Sequence, residues 1–324
     1  MKANKILFLI LLALFPFPIF AYSNKVYVGG ETIGIEVHSQ GVYVVDFYPV
    51  HNQSIGRDAG FQVGDIIQSI DGQKVESIHS LNHIISDEKD YIFQVLRNNK
   101  NVDIPLKVLE EDSLLKTGLY VKDMINGIGT LSYIDPETKI YGSLGHEILE
   151  SSSFSKFRLK DGLIYKAEVS SIKRGNNVTT GEKNAVIDKS QPYGDVRLNE
   201  QVGIFGKYDD SFDGKELLEV GSIDQIHNGD AYIRTVVSSN KINEYRISML
   251  SLDEGSSSKN ILFEITDTDL IKKTGGIIQG MSGSPIIQDQ KIIGVVNYVI
   301  VDDCKRGYGV FITKMLEEGD KIMS

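Results

Sequence analysis

The sequence contains one cysteine, Cys304, and no tryptophan, and only seven prolines are spread along its 324 residues. A single cysteine excludes an internal disulfide, so burial of the core must hold the fold together. Because no motif surrounds this thiol, we interpret it as a small buried residue rather than a nucleophile. Basic residues are also in deficit, since 34 lysines and arginines face 44 acidic residues and the pI is near 5.2. This balance disfavours nucleic acid as a partner.

The sequence also lacks the residue spacing that is typical of metal-binding motifs. The six histidines are scattered along the chain. His79 and His83 are four residues apart, but no glutamate follows His79 as a zinc-binding HExxH motif requires. We therefore expect neither a metal ion nor another cofactor.

The N-terminus differs from the rest of the chain. The segment MKANK carries two lysines and precedes a 16-residue apolar run at residues 6–21 that includes Pro16 and Pro18. The run is shorter than the roughly 20 apolar residues of a membrane-spanning helix. It favours a secretory signal with a loose cleavage site at residues 19–21, and an uncleaved membrane anchor is the alternative. In either case we expect the rest of the chain to be exported.

Abundant glycine and recurring β-branched residues predict a mainly β fold with two regions after the N-terminal segment. Residues 30–109 contain strands, one short helix, and hairpin signals at Asp71-Gly72 and Asn98-Asn99. Residues 110–324 contain many short apolar strands separated by turns, which indicates a sandwich or barrel. This second region has 215 residues (324 − 109), enough for two small barrels packed together.

Residues 30–109 resemble a PDZ domain. The resemblance is carried by AGFQVGDII at residues 59–67 and IDG at residues 70–72. Upstream, Ile33, Gly34 and Ile35 resemble the loop whose backbone N–H groups hold a peptide carboxylate in such domains. Gly34 would leave these amides unobstructed, and a neighbouring strand edge could accept a peptide as an added strand. The alternative is a small packed β domain that binds no ligand.

The segment GMSGSP at residues 280–285 places Ser282 in a glycine-rich turn. A serine nucleophile needs a base, a group that orients the base, and N–H donors for the oxyanion. The amides of Gly280 and Ser282 are the predicted donors. His146, which follows a strand in YGSLGH, is the candidate base. Asp267 and Asp269 precede the serine by 15 and 13 residues and are candidate orienting acids, although either could instead cap a helix.

The order His, Asp, Ser is that of chymotrypsin-like enzymes. Together with GMSGSP, YGSLGH, NEQVGIFGKY and a preceding PDZ-like module, it makes the chain similar to the SpoIVB peptidase family over nearly all of its mature length. The resemblance implies a PA-clan serine endopeptidase with a chymotrypsin-like double β-barrel. It implies His146, Asp267 and Ser282 as the triad, with the amides of Gly280 and Ser282 as the oxyanion hole. The choice between Asp267 and Asp269 stays open.

The family also implies a biological setting. Its members act in spore-forming bacteria between the two membranes around the forespore, in signalling that activates a late sigma factor. The expected partner is a protein substrate, a membrane-associated regulator of sigma-factor processing, with the PDZ domain selecting it or controlling self-cleavage. The N-terminal segment would provide contact with a membrane surface. The alternative function is a non-catalytic exported PDZ binding or scaffold protein, in which GMSGSP is only a tight turn.

Overall fold

A computed structural model describes residues 22–323, so the predicted signal or anchor at residues 1–21 lies outside the described residues. Strands make up 55% of the chain and helices 11%. The predicted mainly β fold class is therefore confirmed. None of the helices between residues 22 and 323 has the length and apolar character needed to cross a membrane.

The N-terminal part of the described chain contains nine strands and two helices. They are β1 (Lys25–Val28), β2 (Thr32–Phe47), α1 (Ile55–Asp58), β3 (Ile66–Ile70), β4 (Gln73–Lys74), α2 (Ile78–Ile84), β5 (Asp90–Arg97), β6 (Lys100–Lys107), β7 (Leu109–Glu111), β8 (Leu114–Lys116) and β9 (Leu119–Ile134).

The remainder contains twelve strands, two α-helices and two short 3₁₀ turns at Ile223–Gln225 and Asp320–Met323. They are β10 (Ile140–Ser143), β11 (Leu159–Lys173), β12 (Glu182–Asp195), β13 (Leu198–Glu200), β14 (Gly203–Lys207), β15 (Glu216–Val220), β16 (Gly229–Val236), β17 (Ile242–Leu252), β18 (Ile261–Ile265), α3 (Thr268–Thr274), β19 (Pro285–Gln288), β20 (Lys291–Ile300), β21 (Asp303–Phe311) and α4 (Ile312–Gly319).

Local sequence explains the PDZ-like unit. Asp71 and Gly72 have φ angles of 48° and 76°, and Asn98 and Asn99 have 50° and 62°, so both predicted hairpin turns are present. Helix α2 begins at a capping box in which Ser77 and Ser80 exchange hydrogen bonds. Alternating apolar residues of β3, β5 and β6 and one face of α2 then form a buried core of their own.

Two long strands connect this unit to the rest of the molecule. Strands β2 and β9 each have 16 residues and pair antiparallel along most of their length, from Thr32↔Thr130 to Phe47↔Leu119. A register shift after His38 divides the pairing into two parts. The C-terminal half of β2 pairs with β3, whereas its N-terminal half pairs with β11. The same two strands therefore belong to both the PDZ-like unit and the sheet that continues through β11 and β12.

The predicted peptide-binding loop at Ile33, Gly34 and Ile35 is not a loop. These residues lie near the start of β2, between β9 and β11, and all three are buried. Gly34 is required because the side chain of Ile187 leaves no space for a Cβ, at 2.6 Å. The prediction of a loop there is wrong because the alternating apolar run continues through the glycine into one long strand.

Three further clusters of buried side chains fill the rest of the molecule. The N-terminal half of β2 and strands β9 to β14, here called the first barrel, enclose a cluster that includes Leu131, Tyr141 and Ile204. Strands β16 to β21, here called the second barrel, enclose another, which includes Ile247, Phe263 and Ile286. The third combines residues of β1, β14, β20 and α4. Burial of these apolar side chains at about 25 cal/mol per Å² supplies the main stabilisation of a fold without disulfides. The two barrels meet where the end of β10 approaches the middle of β20, because a Cβ on Gly145 would lie 3.0 Å from the Val296 carbonyl oxygen.

Candidate active site

Ser282 lies in a turn between two glycines with left-handed backbone conformations. Gly280 has a φ of 90° and Gly283 a φ of 92°, which glycine adopts without steric cost. A Cβ on Gly283 would lie 2.2 Å from the carbonyl oxygen of Thr130 and 2.5 Å from the amide nitrogen of Leu144. The turn is therefore in direct contact with the first barrel, and nothing larger than glycine fits at position 283.

The backbone hydrogen bonds of this turn leave two amides unused. The N–H groups of Met281, Gly283 and Ser284 each donate to a backbone carbonyl at 2.7–3.1 Å. The N–H groups of Gly280 and Ser282, in contrast, donate to no acceptor in the part of the chain that the structure describes. These are the two predicted oxyanion donors. Their N–H groups are available to a bound ligand.

Hydroxyl groups of β9 hold the carbonyl groups of the same turn. Thr130 Oγ1 donates to the Gly280 carbonyl and Ser132 Oγ to the Gly283 carbonyl, both at 2.8 Å. The N–H of Thr130 also donates to the Ser282 carbonyl at 3.0 Å. Sequence reasoning missed both hydroxyl residues. The available signal was two hydroxyl side chains at alternate positions of a strand that is otherwise apolar there.

The side chain of Ser282 contacts β20. Its Oγ donates to the carbonyl oxygen of Asn297 at 3.2 Å. This bond is longer than the 2.7–2.8 Å typical of O–H···O contacts, so it is weak and easily exchanged for another partner.

His146 approaches the same strand one residue further along. It follows β10 after Leu144 and Gly145, which both have positive φ angles of 69° and 71°. Its ring stacks on Tyr298 with centroids 5.5 Å apart, and its Nδ1 bonds the Glu147 carbonyl at 2.9 Å. Ser282 and His146 are thus brought to consecutive residues of β20. Within residues 22–323, no hydrogen bond joins the imidazole to Ser282.

The contact with Glu147 fixes the tautomer of His146. A carbonyl oxygen can only accept, so Nδ1 carries the proton and Nε2 holds the free electron pair. Burial lowers the pKa of the His146 imidazole, and the carbonyl and side chain of Glu147 oppose that shift. The ring is therefore neutral at pH 7 and carries its basic electron pair on Nε2.

The two candidate acids lie elsewhere. Asp267 is the N-cap of α3, where its Oδ1 accepts from the Leu270 amide at 2.9 Å, and its Oδ2 accepts from the Arg246 amide at 3.5 Å. Asp269 is exposed in the first turn of α3. In the described chain neither carboxylate bonds His146. The structure therefore brings Ser282 and His146 to one strand but does not bring Asp267 or Asp269 to them.

Cys304 is buried, as predicted. Its Sγ lies 3.3 Å from both Asn177 Oδ1 and the Gly275 carbonyl oxygen, either of which can accept its single S–H hydrogen. Among residues 22–323, no three His, Cys, Asp or Glu side chains are arranged to hold a metal ion.

Comparison with protein families identifies the second region. Residues 113–316, more than half of the chain, match the model described as SpoIVB peptidase S55. The chain belongs to the SpoIVB peptidase S55 family. The range matched in this S55 peptidase includes positions 146, 267 and 282. Residues 32–108 match the PDZ domain model, so the family resemblance seen in the sequence is confirmed.

Solved structures similar to this S55 peptidase are distant in sequence. The inactive form of the Rv3671c protease from M. tuberculosis is 12% identical, covers 61% of this chain and 85% of its own, and has a TM-score of 0.34. Human heparin binding protein is 10% identical, with coverage of 61% and 85% and a TM-score of 0.32. The comparison with curated proteins gives no match.

Proposed function

We propose that this S55 peptidase is a serine endopeptidase in which Ser282 attacks a peptide carbonyl and His146 accepts the serine proton at Nε2. One observation carries this proposal: the amides of Gly280 and Ser282 are the unbonded N–H groups of an otherwise fully bonded turn. Such amides stabilise the oxyanion that forms when the serine attacks. Removing one oxyanion donor in serine peptidases costs about 10² to 10³ in kcat.

The proton transfer needs a small rearrangement. In the present geometry the Ser282 hydroxyl donates to Asn297, and the imidazole is stacked on Tyr298. Catalysis requires the hydroxyl to leave that carbonyl and donate instead to Nε2. The Glu147 carbonyl already keeps the base-competent tautomer of His146. Asp267 as the third triad member remains a prediction from the sequence pattern, and its present contacts are those of a helix cap.

We also propose that the PDZ domain recruits the protein substrate. Residues Leu119–Lys122 of β9 pair with β2 along one edge, and within the described chain their other edge pairs with no strand. Helix α2 begins beside this segment, because the Ile78 amide donates to Asp123 Oδ2 at 2.8 Å. A peptide could add here as a further strand. This position replaces the one expected at residues 33–35.

The cellular role is proposed from the family resemblance. We propose that the chain is exported, acts in the forespore intermembrane space, and cleaves a membrane-associated regulator on the way to late sigma-factor activation. In a spore-forming host whose own S55 peptidase is deleted, the wild-type gene should restore late sigma-factor activity and a Ser282→Ala gene should not. Restoration by the Ser282→Ala gene would refute a catalytic role in that pathway.

A non-catalytic PDZ scaffold is the second candidate. It is favoured by one observation, the absence of a hydrogen bond between His146 and Ser282 in the described chain. Labelling with a fluorophosphonate separates the two candidates, since this reagent reacts with an activated serine. We expect the wild type to be labelled and Ser282→Ala to remain unlabelled. Failure of the wild type both to label and to cut a peptide library would favour the scaffold.

A further inference from the structure

Lys183 of β12 is buried beside the nucleophile turn without an acidic partner. Lys183 is only 4% exposed, and its Nζ donates to Thr235 Oγ1 at 2.9 Å. Thr235 is itself fully buried. No carboxylate among residues 22–323 forms a salt bridge with Lys183, unlike the exposed lysines of the same hairpin, Lys173 and Lys189. Burying an unpaired ammonium group costs free energy, so a contribution to stability does not explain this lysine.

The stem of this lysine lies against Gly280. A Cβ built on Gly280 would lie 3.1–3.2 Å from the Cβ, Cγ and Cδ atoms of Lys183. The backbone of the same residue is tied to the turn as well, because the Lys183 N–H donates to the Gln279 carbonyl at 3.0 Å. From the opposite side, Thr130 Oγ1 holds the Gly280 carbonyl at 2.8 Å. Gly280 is thus held by its α-carbon and its carbonyl, and only its amide is left free.

We propose that Lys183 is a positioning residue that, anchored to Thr235 of β16, braces Gly280 and keeps the two oxyanion amides in place. The proposal rests on the proposed peptidase activity. The hydrogen bond to Thr235 anchors the end of the side chain, and the packed methylene stem transmits that anchor to Gly280. Lys183 touches neither substrate nor the reacting atoms, so its effect on turnover is indirect.

Protonation of the amine should weaken this brace. Burial lowers the pKa of Lys183 to about 7, and no charged side chain of the described residues contributes to that shift. Its hydrogen-bond partner on β16 is the uncharged Thr235 hydroxyl. Below pH 7 the brace would hold an uncompensated charge, and local rearrangement toward water would displace Gly280. As the pH falls, activity should therefore decrease in a step near pH 7 that is separate from the protonation of His146.

The test compares Lys183→Met, which keeps the apolar stem but lacks the anchor, with Lys166→Met, which removes an exposed lysine of the paired strand β11. Folding of each variant is checked by thermal unfolding. We expect Lys183→Met to lower kcat and the rate of fluorophosphonate labelling about tenfold or more, with KM within about twofold, as for interactions used only in the transition state. Its pH profile should lose the component near 7. Lys166→Met should behave as wild type.

A second variant guards against misfolding of the first. Thr235→Val leaves the lysine in place, removes its anchor, and should lower kcat in the same direction. Wild-type kcat and an unchanged pH profile in either folded variant would overturn the role of Lys183 while leaving the peptidase intact. A wild type that neither labels nor cleaves would instead refute the peptidase activity, and the inference with it.

Discussion

The hydroxyl of Ser282 donates to the backbone carbonyl of Asn297, and not to a histidine. The adjacent Tyr298 stacks on the imidazole of His146, so one dipeptide of β20 contacts both proposed catalytic side chains. In the described geometry each of these groups has a partner other than the one that the proposed catalysis requires. The energy needed to exchange a long hydrogen bond is small beside the stabilisation that the oxyanion amides supply.

Loss of either catalytic side chain should abolish turnover. We expect Ser282→Ala and His146→Ala each to lower kcat by on the order of 10⁶, and the double variant to lose little more, because the two residues act as a unit. Steady-state kinetics on a cleaved peptide, with the rate expressed per mole of folded protein, measures this. A His146→Ala enzyme with a rate within tenfold of wild type would exclude His146 as the base.

The two environments of His146 and His227 predict opposite titrations. Burial lowers the pKa of His146 below the ordinary 6.5, whereas hydrogen bonds to the Asn228 carbonyl and to Asp289 raise the pKa of His227. His146 therefore stays neutral as the pH falls through 6.5, and His227 becomes protonated above it. NMR titration of ring signals, assigned with His146→Gln and His227→Gln, should give this order. The reverse order would contradict the half-buried position of His146 against Tyr298.

Asp267 can be tested with a pair of substitutions. Asn caps helices about as well as Asp, whereas Ala loses about 1 kcal/mol at this position. We therefore expect Asp267→Ala to lower the free energy of unfolding by about that amount and Asp267→Asn to leave it unchanged. Since the His146 tautomer is already fixed by Glu147, kcat of Asp267→Asn should also remain near wild type. A fall of about 10⁴ in kcat with unchanged stability would instead establish Asp267 as the orienting residue.

Gly283 should tolerate no side chain. Gly283→Ala combines a positive φ with contacts of 2.2 and 2.5 Å, so we expect a loss of more than about 2 kcal/mol in the free energy of unfolding. Gly72→Ala is the matched control, because Gly72 also has a positive φ but nothing lies within 4 Å of its Cβ position. It should cost only about 1 kcal/mol. Chemical denaturation compares the two, and equal losses would contradict the tight contact with Thr130.

Lys183 should give the protein a pH-dependent stability. Its pKa is about 7 in the fold against 10.5 for an ordinary lysine, so between these values the unfolded chain binds more protons. Stability should therefore rise with pH across this window, by at most about 1.4 kcal/mol per pH unit for this one group. Denaturation at pH 7 to 10 should show that slope in the wild type and lose it in Lys183→Met. An identical slope in the wild type and in Lys183→Met would indicate that Lys183 is charged in the folded state.

Local sequence predicted the features that depend on a few adjacent residues. The turns at Asp71-Gly72 and Asn98-Asn99 have the positive φ angles expected of those pairs. The turn around Ser282 was expected from its glycines. The position of Gly34 inside a strand could not be predicted. A glycine in an apolar run is compatible both with a loop and with a strand position that faces a large neighbour, here Ile187. Tertiary contacts alone decide between these.

The roles of Lys183 and Thr130 also depend on tertiary contacts and could not be predicted from the sequence. Each occupies an ordinary position in an alternating strand, and its partner lies far along the chain: Thr235 for the lysine and Gly280 for the threonine. The sequence offered Asp267 two roles, orienting acid or helix cap. Its hydrogen bond to Leu270 identifies the cap but leaves the other role to experiment.

The shared strands β2 and β9 have a consequence for how the molecule comes apart. A fragment starting at residue 110 would leave β9 and β11 without the strand that lies between them over residues 33–38. Two strand edges left unpaired in this way favour aggregation. Unfolding of the PDZ domain and of the peptidase region should consequently be a single cooperative transition, because the two regions share these long strands.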